Sequence, residues 1–203
     1  RPAYNMIKSG LERGDFTKET KLIEATSGNT GIGLAMIAGV FGLNIELVMP
    51  ENSTKERVQT MRAYGAKVTL TPADVGIEGA REYAEAKVNE EGFKMLNQFS
   101  NDDNWKAHYK TTGPEIWRDT DGEITHFVSS MGTTGTIMGT STYLKEQNPM
   151  AKRLAKEEGI FSGMSSGGAA TVALRLAATL ESGTIVSIVC DRGDRYLSSD
   201  LFE

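Results

Sequence analysis

The stretch SSMGTTGTIMGT, residues 129–140, combines closely spaced glycines with hydroxyl side chains and contains no lysine. It follows a largely apolar run, Ile124–Val128, and precedes a segment with helical spacing. The context predicts a strand, a tight turn and a helix, whose first backbone N–H groups favour an anion. We expect the backbone to turn tightly and approach a ligand at Gly132, Gly135 and Gly139. We expect hydroxyl donors at the start of the helix from Thr133, Thr134 and Thr136.

The spacing of this loop excludes two common nucleotide-binding patterns. It matches neither G-x-x-x-x-G-K-[ST] nor G-x-G-x-x-G, so it is neither a P-loop nor a dinucleotide fingerprint. A phosphate monoester fits a turn of glycines and threonines without a metal ion. A plain strand-to-helix turn with capping threonines explains the loop equally well when it is taken alone.

A second loop repeats the same context in EATSGNTGIGLAMIA, residues 24–38. Its hydroxyl and amide side chains can clamp a carboxylate, and Asn29 can bond a neighbouring ring substituent. The alternative is an Asn/Thr cap on a buried helix. Both loops lie at the carboxyl ends of predicted strands, where ligands of open α/β sheets bind. The pair suggests a ligand with a phosphate held in one domain and a carboxylate held in the other.

Apolar strands and helical segments alternate along the chain without repeats or low-complexity linkers. This order predicts an α/β fold with parallel sheets and helices on both faces. We expect two doubly wound domains, a smaller one over residues 1–101 and a larger one over residues 102–203. The predicted helices are Ala3–Leu11, Gly31–Phe41, a helix that a Ser53/Glu56 capping box starts and that runs to Tyr64, Glu78–Glu90, Trp105–Tyr109, Pro114–Arg118, Gly135–Lys145 and Ala169–Leu180. The predicted strands are Leu22–Ala25, Ile45–Met49, Ala66–Leu70, Lys94–Asn97, Ile124–Ser129 and Thr184–Cys190.

One segment, residues 141–163, breaks this alternation. It runs helix, Asn-Pro, helix, and leaves only two strands for the second sheet, which is a marginal number. We therefore expect that residues are missing from the sequence around Asn148–Met150.

Composition excludes several classes of function. The net charge is −5 and the pI is about 5.2, without a Lys/Arg block, so we expect no binding to nucleic acid or to an anionic membrane surface. The longest nearly apolar run, Ile32–Leu43, is too short to span a bilayer. A single cysteine, Cys190, excludes an intramolecular disulfide and a cysteine-based metal site, and it favours the cytoplasm.

Two further stretches carry polar residues at predicted element ends. Ser165 and Ser166 precede a small-residue helix, where an N-cap role is the common one. Arg192 follows a predicted strand within a charged run that is usually a solvated cluster, and Cys190 beside it is as typical of a small buried hydrophobe as of a reactive thiol.

Taken together, five motifs resemble the cysteine synthases of the B type, which are fold-type II pyridoxal-phosphate enzymes. They run in order along nearly the whole chain. The motifs are EATSGNTGIG, AHYKTTGPEIW, SSMGTTGTI, EGIFSGMSSGGA and CDRGDRYLS.

The resemblance implies a role for each of several positions. The substrate carboxylate would contact Thr26, Ser27, Asn29, Thr30 and Gln98. The cofactor phosphate would lie against Gly132, Thr133, Thr134, Gly135 and Thr136. Asn29 would also touch the ring oxygen of the cofactor, and Ser165 would bond its pyridine nitrogen. A wider, polar pocket near Cys190 and Arg192 would admit sulfur donors larger than sulfide.

The implied reaction is a β-replacement that makes L-cysteine from O-acetylserine, or a similarly activated serine, and sulfide or a larger donor such as thiosulfate. A serine at the pyridine nitrogen does not force protonation there, so the ring is a moderate electron sink suited to elimination. The resemblance also implies cysteine biosynthesis in the cytoplasm by a homodimer with a mobile small domain, and no partner beyond the small-molecule substrates.

The sequence departs from the family pattern at the Schiff-base lysine. In the family this lysine lies in a segment that ends Ser-x-Lys-Asp-Arg, and Arg1 matches the last residue of that segment, so the lysine is not among the 203 residues. Lys8 does not match it. A chain without the lysine would be a non-catalytic binding or regulatory homologue. A serine/threonine dehydratase-like enzyme is the second alternative, and a nucleotide-binding oxidoreductase is the third.

Overall fold

The computed structural model describes residues 1–147 and 165–188. The chain divides into two compact units, one built from Ala3–Asn101 and the other beginning at Asp102. Each unit carries its own parallel sheet. The predicted α/β fold class with parallel sheets is confirmed.

The first unit alternates helices and strands in the predicted order. Its elements are α1 (Pro2–Arg13), β1 (Lys21–Ala25), α2 (Asn29–Phe41), β2 (Asn44–Pro50), α3 (Lys55–Ala63), β3 (Lys67–Thr71), a 3₁₀ turn (Ala73–Val75), α4 (Gly76–Glu91) and β4 (Lys94–Met95). The strands are parallel and lie in the order β3-β2-β1-β4, so the first strand of the chain occupies the interior of the sheet.

The sheet of the first unit is covered on both faces, because successive strand residues point to opposite sides. On β1, Leu22 joins the larger apolar cluster with residues of α1, α2 and α3, and Ile23 joins a smaller cluster. On β2, Leu47 lies in the larger cluster, and Val48 packs with Ala80 of α4 in the smaller one. The two clusters fix the register, since a slip of one residue would exchange the faces.

The second unit has helices packed closely against one another and a short parallel sheet. Its elements are α5 (Asp102–Lys110), α6 (Thr112–Asp119), β5 (Ile124–Val128), α7 (Gly135–Gln147), α8 (Ser165–Ala177) and β6 (Thr184–Ser187). Within the described part of this unit the sheet consists of β5 and β6, paired in parallel. The prediction that only two strands are available for this sheet agrees with that pairing.

Many element ends differ from prediction, among them those of α3, β4 and α8. Helix α3 begins at Lys55 with Thr54 as its N-cap, so the predicted capping box at Ser53 is wrong: the Ser53 N–H donates to the Pro50 carbonyl (3.0 Å) in the preceding turn. Strand β4 ends at Met95 instead of Asn97, since Asn97 has a φ of 53°, outside the strand region. Helix α8 spans Ser165–Ala177, earlier than predicted. The predicted end of the last strand, Cys190, lies outside the described residues, as does Asn148–Met150.

Candidate functional site

The loop between β5 and α7, residues 129–134, presents the start of a helix. The first backbone hydrogen bond of α7 runs from the Met138 N–H to the Thr134 carbonyl (2.9 Å). The N–H groups of the preceding turn therefore have no partner within the helix, and the positive end of the helix dipole lies at the same place. We call this segment together with Gly135 and Thr136 the glycine–threonine loop.

The backbone of the glycine–threonine loop is strained at Thr134. This residue has a φ of 63°, in the left-handed region that β-branched residues avoid. Its side chain is exposed. Strain of this kind costs about 1–3 kcal/mol and is concentrated at ligand-binding segments.

The hydroxyl of Thr133 is oriented by a buried amide on a neighbouring helix. The Nδ2 atom of Asn104, on α5, donates to the Thr133 Oγ1 atom at 2.9 Å. Asn104 is buried, so its position is fixed by packing. Because an amide N–H can only donate, the Thr133 hydroxyl keeps its own proton for another acceptor.

A buried histidine connects the glycine–threonine loop to α6. The Nε2 atom of His108 lies 3.2 Å from the Thr136 Oγ1 atom, and its Nδ1 atom lies 2.9 Å from the Thr112 Oγ1 atom. No role for His108 or Asn104 was predicted from the sequence. The motif AHYKTTGPEIW contains His108 and was the signal that could have found it.

The three glycines of residues 129–140 have different surroundings. Gly135 and Gly139 lie in α7, where an added Cβ atom would collide with Asn104 and with the Trp105 carbonyl oxygen, so they are required for the close packing of α5 and α7. The structure thus gives Gly135 and Gly139 a packing role, and their contact with a ligand stays a prediction. At Gly132 an added Cβ atom would meet nothing within 4 Å among the described residues, and its φ is not positive. Open space in front of this backbone leaves room for a ligand.

The second loop, residues 26–30, joins β1 to α2 and is called the hydroxyl–amide loop below. The Thr26 N–H donates to the Val48 carbonyl (2.9 Å), which fixes the start of the loop to β2. Gly28 is the N-cap of α2 with an extended backbone, and an added Cβ atom there would also meet nothing within 4 Å in the described part of the chain. Ser27 and Thr30 are half-buried, and Asn29 is exposed. These side chains thus lie around the first turn of a helix, as an anion site requires.

Gln98 follows β4, which is the neighbour of β1 in the sheet. Because the strands are parallel, the chain leaves both strands at the same edge, where Gln98 is buried. Glu24, near the end of β1, accepts hydrogen bonds from the Asn97 N–H (2.8 Å) and the Gln98 N–H (3.1 Å). Burial raises the pKa of Glu24 above its usual value, although the backbone N–H donors act in the opposite direction. No role for this glutamate was predicted from the sequence.

The predicted site residues fall into two groups. Thr26, Ser27, Asn29, Thr30 and Gln98 belong to the first unit, at the carboxyl ends of neighbouring strands. The glycine–threonine loop and Ser165, the first residue of α8, belong to the second unit. Cys190 and Arg192 lie outside the described residues.

Two kinds of feature are absent from the described residues. Within residues 1–147 and 165–188, no helix combines the length and the apolar character needed to cross a membrane. The same part of the chain holds no group of three or more His, Cys, Asp or Glu side chains that could bind a metal ion.

Solved structures of related enzymes have the same fold. A cysteine synthase from Entamoeba histolytica superposes with a TM-score of 0.88 at 32% identity, covering 99% of this chain and 77% of that chain. An O-ureido-L-serine synthase superposes with a TM-score of 0.87 at 29% identity, covering 99% of this chain and 82% of that chain.

Curated relatives are similar over the whole chain. Cysteine synthase B from Pseudomonas aeruginosa is 47% identical over an alignment of 251 positions that covers all of this chain and 84% of the relative. Cysteine synthase B from Salmonella typhimurium is 45% identical, covering all of this chain and 82% of the relative. The alignment with the first is longer than the 203 residues of this chain, so the relative carries residues within it that this chain lacks. The resemblance to B-type cysteine synthases is confirmed.

A family-wide comparison agrees with these relatives. The sequence model described as "Pyridoxal-phosphate dependent enzyme" matches residues 1–152, which is about three quarters of the chain and includes both loops described above. The match ends beside Asn148–Met150. That residues are missing at this point of the sequence stays a prediction. The chain belongs to the family of pyridoxal-phosphate dependent enzymes.

Proposed function

We propose that this protein is a pyridoxal-phosphate-dependent cysteine synthase that makes L-cysteine by β-replacement. The amino-acid substrate is O-acetylserine or a similarly activated serine, and the sulfur donor is sulfide or a larger donor such as thiosulfate. The observation that carries the proposal is 47% identity to a cysteine synthase B over the full length of the chain. No observation favours a dehydratase or a non-catalytic homologue.

The residues of the glycine–threonine loop fit the phosphate of the cofactor. We assign this role to Gly132, Thr133, Thr134, Gly135 and Thr136. The first turn of α7 supplies backbone N–H donors, Thr133 keeps a hydroxyl proton to donate, and Gly132 leaves open space. When bound, pyridoxal phosphate supplies the electron sink that lets the Cα proton and the β-substituent of an amino acid depart.

The hydroxyl–amide loop fits the carboxylate of the amino-acid substrate. We assign this role to Thr26, Ser27, Asn29, Thr30 and Gln98. The positive end of the helix dipole lies at the start of α2 and favours an anion. The attraction is local, because a chain with a net charge of −5 does not attract anions through its overall charge. Holding the carboxylate in a fixed place orients the amino acid and reduces the entropic cost of reaction.

Three further assignments follow from the family resemblance. Ser165 would bond the pyridine nitrogen, and a neutral hydroxyl does not force protonation there as an aspartate would. Asn29 also contacts the ring oxygen of the cofactor. We assign Cys190 and Arg192 to binding of the sulfur donor, since a cationic side chain would favour an anionic donor such as thiosulfate.

We also propose that the enzyme is a cytoplasmic homodimer with no nucleic-acid, membrane or protein partner. The sequence supports the compartment through its single cysteine, which leaves no intramolecular disulfide to be formed. Light scattering after size exclusion tests the dimer, and a mass of one protomer at micromolar concentration would exclude it.

The function is tested with the product of the complete gene, purified and incubated with pyridoxal phosphate. We expect a visible absorption band from the bound cofactor, and cysteine formed from O-acetylserine and sulfide. Release of pyruvate without cysteine would instead identify a dehydratase. Failure to acquire the visible band would identify a non-catalytic homologue.

A further inference from the structure

Glu24 is a buried carboxylate at the edge of the sheet where the substrate loop begins. It is 2% exposed and lies two residues before Thr26, on a strand enclosed between β2 and β4. Burying a carboxylate costs free energy unless hydrogen bonds compensate for the lost water. The compensation described for Glu24 comes from backbone N–H groups across the sheet, at Asn97 and Gln98.

These hydrogen bonds hold a turn of unusual geometry. The chain leaves β4 through Asn97, whose φ of 53° is in the left-handed region. The N–H groups of Ser100 (3.1 Å) and Asn101 (2.9 Å) donate to the Asn97 carbonyl, and the Asn101 side chain donates to the Leu96 carbonyl (2.8 Å). Hydrogen bonds within the turn therefore hold the residues that follow Asn97. Glu24 holds the Asn97 and Gln98 N–H groups, where the chain enters the turn.

A second buried glutamate shows what is particular about Glu24. Glu46 is also 2% exposed, on the neighbouring strand β2, but it pairs with Lys67 (2.9 Å) and with the Thr69 hydroxyl (2.6 Å) on β3. Its bonds therefore join β2 to the edge strand β3. The bonds of Glu24 instead join the strand that carries the hydroxyl–amide loop to the backbone that carries Gln98.

We propose that Glu24 is a positioning residue for the amino-acid substrate. It holds the Asn97–Gln98 backbone so that the Gln98 side chain meets the same carboxylate as the hydroxyl–amide loop. This inference rests on the proposed function, because it takes Gln98 as a carboxylate contact. Glu24 itself acts through Gln98 and makes no contact with substrate.

The test compares Glu24→Gln, Gln98→Ala and the double variant in the cofactor-loaded protein. In Glu24→Gln an amide N–H₂ faces a backbone N–H, so one of the two bonds is lost at nearly constant volume. We expect the KM for O-acetylserine to rise about tenfold with kcat little changed, because ground-state and transition-state binding of the carboxylate weaken together. We expect the double variant to be no worse than Gln98→Ala, since both changes remove one contact.

Hydrogen exchange gives a readout that does not depend on activity. The amides of Asn97 and Gln98 should exchange about tenfold faster in Glu24→Gln than in the wild type. Glu46→Gln is the matched control, in which these amides and the KM are unchanged. Should Glu24→Gln not fold, Glu24→Asp, which keeps the charge but is one methylene shorter, replaces it with the same expectations.

Three results would overturn the inference: an unchanged KM with faster exchange, unchanged exchange, or additive effects in the double variant. The first would leave Glu24 a purely structural residue. A wild-type protein that binds the cofactor but makes no cysteine would instead refute the proposed function, and the exchange experiment would still report on the Glu24 bonds.

Discussion

The Nδ2 atom of Asn104 lies 2.9 Å from the Oγ1 atom of Thr133, so a buried amide on α5 sets the direction of a hydroxyl on the glycine–threonine loop. The amide has no proton acceptor on its nitrogen and can only donate. The threonine proton is therefore left for another acceptor, and we propose the cofactor phosphate for that role.

Replacing Asn104 by alanine should weaken cofactor binding by about tenfold, because the Thr133 hydroxyl is then free to rotate and loses its fixed donor role. Titration of the apoprotein with pyridoxal phosphate, followed by visible absorption, measures this change. Thr142→Ala is the control, since the Thr142 hydroxyl on α7 bonds the Met138 carbonyl of its own helix. Equal affinities for wild type and Asn104→Ala would contradict the assigned role.

Two glycine substitutions should separate the effects on cofactor binding from the effects on packing. Gly132→Ala should lower cofactor affinity and leave the Tm of the apoprotein within about 1 °C, because its Cβ atom meets no described residue. Gly135→Ala should lower the Tm, because its Cβ atom collides with Asn104. Overpacking of this kind costs about 1–3 kcal/mol, or about 2–4 °C for each kcal/mol. Calorimetry of both apoproteins checks the contrast, and a stable Gly135→Ala would refute it.

Thr134→Gly should stabilise the apoprotein while weakening the holoprotein. Glycine adopts the φ of 63° without steric cost, so relief of strain should add up to about 1 kcal/mol to the free energy of unfolding. The same change removes a hydroxyl from the glycine–threonine loop and should lower affinity for the cofactor. Urea unfolding with and without pyridoxal phosphate measures both effects. A loss of stability in the apoprotein would show that Thr134 makes contacts that outweigh its strain.

The two buried glutamates should respond to pH in opposite directions. Burial raises the pKa of Glu24, so its contribution to stability is present below about pH 4.5 and is lost as the pH rises through the raised pKa. Burial alone would raise the pKa of Glu46 too, but hydrogen bonds from Thr69 and Lys67 and the charge of Lys67 lower it. Its contribution is present above about pH 4.5 and is lost as the pH falls through the lowered pKa.

Urea unfolding of wild type, Glu24→Gln and Glu46→Gln between about pH 3 and pH 8 checks this opposition. The advantage of the wild type over Glu24→Gln should shrink as the pH rises, and its advantage over Glu46→Gln should shrink as the pH falls. Parallel profiles for the two variants would show that the environments of the two carboxylates are alike.

Much of the fold could be predicted because strand alternation and helical spacing are local properties of the sequence. The strand pattern around Leu22 and Ile23 places one residue on each face of the sheet, and the structure has both faces covered. The end of β4 could not be predicted, since the pattern of residues Lys94–Asn97 does not indicate the left-handed backbone of Asn97. Ser53 failed as a cap because the turn after Pro50 places Thr54 at the helix start.

Candidate site residues that lie in short contiguous motifs could be proposed from the sequence. Residues that contact distant parts of the chain could not. The two loops are contiguous motifs, so spacing and family resemblance named their residues. Asn104 and His108 act on threonines 29 and 28 residues away, and Glu24 acts on backbone 73 and 74 residues away. Such partners share no local pattern with their targets, and only the folded chain brings them together.

The strand order has a consequence for how the enzyme matures during synthesis. The strand that leads into the hydroxyl–amide loop is synthesised before the other described strands of its sheet, yet it pairs with β4, the last of them. A nascent chain that ends before Lys94 can pair β1, β2 and β3 but offers no backbone amides to Glu24. Because domains complete their folding only when distant segments are available, the hydrogen bonds from Glu24 to the Asn97 and Gln98 backbone form after the strand that carries Glu24 has been synthesised.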